Sequence, residues 1–181
     1  LIEKNELLRE TLLKYAGIRL RDTHQIKPSN QVFGYRNSLK LPVAMHKGKL
    51  VTGMYRSGSN QFVTIDRCLV HEEKLEVIRK EILDVLNRHH IVAYDKKKKS
   101  GLRTLVLRGF NKEYQCTFIT GEQIFSEPII KELMGIKGLV SIYQGVDIRK
   151  ETYDLFHEKL TLLAGSRTIN FDLLENRLAL Y

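Results

Sequence analysis

Apolar and polar residues alternate along three neighbouring stretches of the chain, from Leu39 to Ala44, from Leu50 to Met54 and from Phe62 to Ile65. A period of two is the signature of a half-buried strand. Gly48 and the run Ser57-Gly58-Ser59 place turn-forming residues between them, so residues 33–68 predict three strands in succession. A different period brackets this meander. Leu1, Leu8, Leu12 and Tyr15 recur at helical spacing with Gly17 as the stop, and Leu75, Ile78, Ile82, Val85 and Leu86 draw an apolar stripe along a second helix from about His71 to Arg88. Glu72, Glu76, Arg79 and Lys80 are expected on the opposite, solvated side of that helix, and His89 and His90 at its C-terminus suit the negative end of the dipole.

Two further strands, Leu102 to Phe110 and Glu113 to Thr120, meet at Asn111-Lys112, a hairpin turn. Leu105, Leu107, Cys116 and Phe118 are candidate core residues. Ser126, Glu127 and Pro128 open a third helix as N-cap and first turn, with Ile129, Ile130, Leu133 and Met134 facing inward. Gly135 and Gly138 close it. A strand from Leu139 to Gln144 follows, and then strand-like stretches from Glu158 to Gly165, from Arg167 to Leu174 and from Arg177 to Tyr181. The expected fold class is α+β, a mostly antiparallel sheet with about three helices packed on it. Residues 18–31, with Pro28-Ser29-Asn30, read as a connecting loop, so a helix of residues 1–17 precedes a domain of residues 18–181.

Composition narrows the partner. The 181 residues hold 30 Lys and Arg against 21 Asp and Glu, a formal charge of +9, with 43% hydrophobic residues. That balance suits a globular domain that meets a polyanion. No apolar run approaches the roughly 20 residues of a membrane helix, so nucleic acid is preferred to membrane. Two cysteines, Cys68 and Cys116, are too few for a disulfide framework and fit a reducing, cytoplasmic setting. The chain opens at Leu1 and closes at Tyr181 inside a strand-like run, which predicts a longer parent protein.

The meander carries the chemistry. Tyr35, Arg36, Lys40, Arg56, Ser57 and Ser59 gather an aromatic face, cations and hydroxyls, the groups that stack on bases and bind phosphates; Arg103 and Arg108 on the later hairpin are second candidates. Against this, Tyr35 could pack in the core and Arg36 pair with an acid. Lys96 to Lys99 read either as a solvated hairpin tip or as a nonspecific phosphate contact. Cys116, in a strand pattern without a neighbouring base, reads as a small core residue rather than a nucleophile.

Phe33-x-Tyr35-Arg36-Asn37, Gly53-x-Tyr55-Arg56-x-x-Ser59 and Ile65-Asp66-x-Cys68, followed by Gly101 to Arg108, Ser141-Ile142-Tyr143-Gln144 and Leu163-Ala164-Gly165, resemble the central region of the bacterial RNA uracil-5-methyltransferases. The likeness covers most of the chain from about Val32 onward and rests on the order and intervals of the motifs. It implies an RNA-positioning central domain of a monomeric enzyme that uses S-adenosylmethionine on RNA, 23S rRNA being the expected target. The catalytic cysteine, the catalytic glutamate and the cofactor-binding fold would lie beyond Tyr181, so this chain alone is expected to be inactive. In cluster-bearing members the cysteine matching Cys68 is the fourth ligand of a 4Fe-4S cluster; Cys68 is either such a ligand in the intact protein or a plain half-buried thiol. The rival readings are a stand-alone RNA-binding module and a protein-interaction domain that meets an acidic partner.

Overall fold

The computed structural model describes residues 1–21, 26–121, 125–146, 160–173 and 176–180. The chain divides into two compact units, Leu1–Val32 and Phe33–Tyr181. In the first, α1 (Ile2–Ala16) ends where expected, at Gly17 with φ 64, and buries none of its residues. Asn5 Oδ1 accepts a hydrogen bond from the Ile26 amide at 2.9 Å.

The second unit is built on a seven-stranded sheet. Its elements are β1 (Ser38–His46), β2 (Lys49–Tyr55), β3 (Phe62–Thr64), α2 (Glu73–Arg88), β4 (Leu102–Phe110), β5 (Glu113–Thr120), α3 (Glu127–Met134), β6 (Leu139–Val146) and β7 (Leu160–Gly165). Strand order is β3-β2-β1-β4-β5-β6-β7, and β8 (Ile169–Leu173) pairs with β9 (Asn176–Leu180) in a separate ribbon. Every pairing is antiparallel except β5 with β6, where α3 forms the crossover that parallel neighbours require. The α+β class and the meander of β1 to β3 follow the sequence pattern. Residues 158–159, at the expected start of β7, and Tyr181 lie outside the described residues.

Alternation decides what faces the helices. Leu39, Leu41 and Val43 of β1 and Leu105 and Leu107 of β4 are buried, in register Leu39 to Leu107 and Leu41 to Leu105. Cys116 and Phe118 continue that layer on β5, and α2 supplies Leu75, Ile78, Ile82 and Leu86. α2 packs on β2 and β4, α3 on β6 and β7, and the two helices touch. At its C-terminus, α2 is tied to α3 by Glu132, whose carboxyl accepts from Arg88 and bonds His89 Nε2; those hydrogen bonds hold it below its usual range. His89 therefore has a carboxylate partner. Ser126 occupies the N-cap position of α3, but its side chain makes no capping hydrogen bond.

Two turns need backbone that most L residues avoid. Lys47-Gly48 (φ 49 and 78) and Asn111-Lys112 (φ 50 and 67) both have positive φ at the two central positions, the geometry that matches the twist of a two-residue hairpin. Tyr114 lies across Gly109, its partner on β4; a Cβ there would sit 2.2 Å from the ring. The Tyr114 hydroxyl donates to Glu72 Oε1 at 3.0 Å, pinning β5 to the start of α2. Burial, reinforced by that carboxylate, raises the Tyr114 pKa well above the ordinary phenol value.

Candidate nucleic-acid interface

β1 pairs with β4 from Ser38 to Pro42 but with β2 only from Val43 onward. The first half of β1 therefore borders a gap. Before β1 begins, the chain is fixed on the same side by Gly34 N to Leu69 O, Arg36 N to Val70 O and Glu72 N to Arg36 O, each 2.8 Å. Between that clamp and β2 opens a cleft of about 650 Å³, lined among others by Tyr35, Arg36, Lys40, Met54, Cys68 and Arg108. Five of the nine residues singled out from the sequence are thus brought together.

The cleft is cationic and has no carboxylate among its described lining residues. Tyr35 is 52% exposed, so it is no core residue, and the Arg36 side chain is exposed with no acid partner among the described residues. Lys40 is exposed and Arg108 half-buried. Guanidinium and ammonium groups beside an accessible phenol ring can bind phosphate oxygens and stack a base.

The other four candidates lie elsewhere. Arg56, Ser57 and Ser59 form the exposed turn between β2 and β3, where the Ser59 hydroxyl donates to Arg56 O at 3.3 Å and Arg56 Nη1 donates to Gln61 Oε1 at 3.4 Å. Tyr55 and Phe62 meet edge to face beside this turn, centroids 5.5 Å apart. Arg103 stands five residues from Arg108 on β4, about 17 Å at strand rise, and its guanidinium covers the Tyr94 ring at 4.8 Å.

The wall of the cleft rests on a buried polar network that corrects the expected solvated side of α2. Glu76 and Arg79 are only 4% and 2% exposed. Arg79 donates through Nε and Nη2 to Glu76 Oε2 (3.1 and 2.6 Å), through Nη1 to Thr52 Oγ1 (2.7 Å) and through Nη2 to Asp66 O (2.6 Å). His71 Nδ1 lies 2.6 Å from Glu76 Oε1. Burial pushes the Glu76 carboxyl up, but the hydrogen bonds from His71 and Arg79 outweigh it and leave the pKa below its usual value. The network fastens the loop that carries Cys68 to both β2 and α2. A helical wheel holds the signal: at 100° per residue Arg79 falls about 40° from Leu75 and about 20° from Leu86, inside the apolar stripe.

Cys68 is half-buried on the cleft wall, and Cys116 is fully buried in the core, where burial raises its pKa. Among the described residues no group of three or more His, Cys, Asp or Glu could hold a metal. One thiol does not fit an iron-sulfur cluster. The described residues do not fit S-adenosylmethionine either, because the glycines Gly135 and Gly138 run from helix into strand, the reverse of a strand-turn-helix cradle.

A mixed sheet with a cationic cleft at its strand gap, no carboxylate being among the described lining residues, defines the class of this domain as α+β. No family model matches the chain. Curated relatives do: an RNA methyltransferase of Enterococcus faecalis is 31% identical over 170 residues (88% of this chain, 37% of the relative). One of Bacillus cereus is 27% identical over 172 residues (92% and 37%), and one of Lactococcus lactis 31% over 126 residues (67% and 25%). Among solved structures, the tRNA (uracil-54, C5)-methyltransferase of Pyrococcus abyssi in complex with S-adenosyl-L-homocysteine is similar in fold, with TM-score 0.70 and 22% identity. That match covers 99% of this chain and 43% of the archaeal one. The chain belongs to this RNA methyltransferase family. It spans 37% of the length of the E. faecalis and B. cereus relatives.

Proposed function

We propose that this chain is the RNA-facing central domain of an S-adenosylmethionine-dependent RNA uracil-5-methyltransferase, with 23S rRNA as the substrate. Residues 18–181 hold the RNA, the helix of residues 1–17 leads into them, and methyl transfer is carried out by further domains of a monomeric, cytoplasmic enzyme. The observation that supports the reading is the cleft, where Tyr35, Arg36, Lys40 and Arg108 converge on one lining surface. An unstacked uridine strand suits it, since phosphates meet the cations and a base finds the phenol face. The turn of Arg56, Ser57 and Ser59 extends the contact along the strand. Cys68 stays a candidate cluster ligand of the intact enzyme, tested by the iron content of the anaerobically purified protein.

The test uses fluorescence anisotropy with a labelled single-stranded RNA. Arg36→Ala with Arg56→Ala removes two phosphate contacts, so the slope of log affinity against log salt should shrink by about 1.4, at about 0.7 per contact on a single strand. Unchanged affinity and slope refute the assignment. Expressed together with the sequence that flanks it in its reading frame, the protein should produce 5-methyluridine in 23S rRNA from labelled S-adenosylmethionine, while the 181-residue chain alone produces none. RNA binding without 5-methyluridine would leave a stand-alone RNA-binding module, and modification of tRNA alone would move the substrate.

A further inference from the structure

The sheet carries a second concentration of charge at the end away from the cleft. Lys96, Lys97, Lys98 and Lys99 form the exposed tip of a small hairpin closed by the bridge from Asp95 to Ser100. Lys47 and Lys49 flank the exposed turn between β1 and β2. The two tips are neighbours, because the Ala93 amide donates to Met45 Sδ at 3.4 Å. At about 3.3 Å per residue, Lys47 and Asp95 each begin within about 7 Å of that contact.

These six lysines have no ion-pair partner among the described residues. Of the nearby acids, Asp95 bonds the loop backbone, its Oδ1 accepting the amides of Lys97 (2.7 Å) and Lys98 (3.3 Å), while Asp66, paired with Lys80, and Asp84 line the cavity beside Lys49. The loop is therefore ordered as well as charged. Lysines act as point charges for phosphate and read no base. Neither tip carries a bulky apolar side chain that could enter a lipid surface. Lys40 in the cleft and Lys47 on the turn are seven residues apart on one strand, about 23 Å.

We propose that the two lysine tips form a second RNA-binding surface that takes the phosphate backbone of duplex RNA irrespective of sequence. Resting on the RNA reading of the cleft, the arrangement holds a helix at one end of β1 while the single strand leaving it reaches the cleft at the other. Duplex RNA is the matching partner, since its shape and backbone are what a protein without base contacts can grip.

The test compares the 181-residue chain with a variant carrying Lys49→Gln, Lys96→Gln, Lys97→Gln and Lys98→Gln. Lys47 and Lys99 stay, because both have positive φ. Anisotropy is read over a salt series with a blunt RNA duplex and, separately, a short single-stranded RNA. Binding of the variant to duplex should fall at least tenfold and its salt slope by about 2–4 units, at about 0.9 per lost contact, while single-strand binding changes less than twofold. Arg36→Ala should do the reverse. Single-strand binding that persists while duplex binding is absent or indifferent to the four substitutions overturns this proposal alone. Stronger binding to phosphatidylserine vesicles than to duplex overturns it too, and loss of all RNA binding by the unmodified chain overturns the cleft reading with it.

Discussion

Replacing Arg79 by Met tests the buried network that supports the cleft. The substitution keeps much of the side-chain volume but removes four hydrogen bonds, two to Glu76 and one each to Thr52 Oγ1 and Asp66 O. Glu76, 4% exposed, is left with His71 as its remaining partner. Removing one member of a buried ion pair costs about 3–5 kcal/mol, because the other charge stays desolvated. With a urea m-value of about 2–3 kcal/mol per M, the unfolding midpoint should fall by about 1–2.5 M. The chain has no tryptophan, so far-ultraviolet circular dichroism or tyrosine fluorescence is the readout.

The pH dependence supplies a second check. In the unmodified protein the Glu76 pKa is depressed below 4.5, so its stabilising contribution is complete above that value and disappears as pH falls through the folded pKa. In the variant the uncompensated carboxyl has the opposite tendency and takes up a proton more readily. The destabilisation should be largest near neutrality and shrink as the solution is acidified. A loss below about 1 kcal/mol, the size of an exposed pair, or a loss independent of pH, would refute the account of a buried, mutually dependent network.

Three other outcomes follow from the packing. Gly109→Ala should push a methyl group into Tyr114, 2.2 Å from its ring, and lower stability by about 1–3 kcal/mol in thermal unfolding; a neutral result would mean that the ring moves freely. Lys112→Gly relieves a φ of 67 in the β4–β5 turn and should stabilise by about 1 kcal/mol, read as a higher midpoint in urea. A colorimetric thiol reagent should titrate Cys68 in the native protein and reach Cys116, fully buried with a raised pKa, only after unfolding. Two equally fast thiols would contradict the core placement.

The sequence by itself determined the strands and the hairpins, because a period of two and turn residues such as Lys47-Gly48 act over neighbouring positions and need no distant partner. It also grouped Tyr35, Arg36 and Lys40 within six residues, but that Tyr35 and Arg36 are exposed rather than packed or paired was decided by the structure. Only the tertiary structure decided that Arg79 is buried: a cation in an apolar stripe is tolerable because Thr52 and Asp66 arrive from other elements to join Glu76, one turn earlier on the same helix, in meeting it. The same holds for Arg108 joining the cleft while Arg103 does not, and for the lysine tip standing beside the β1–β2 turn. Those placements depend on strand order and on where β2 leaves β1, which are long-range contacts that local periodicity does not encode.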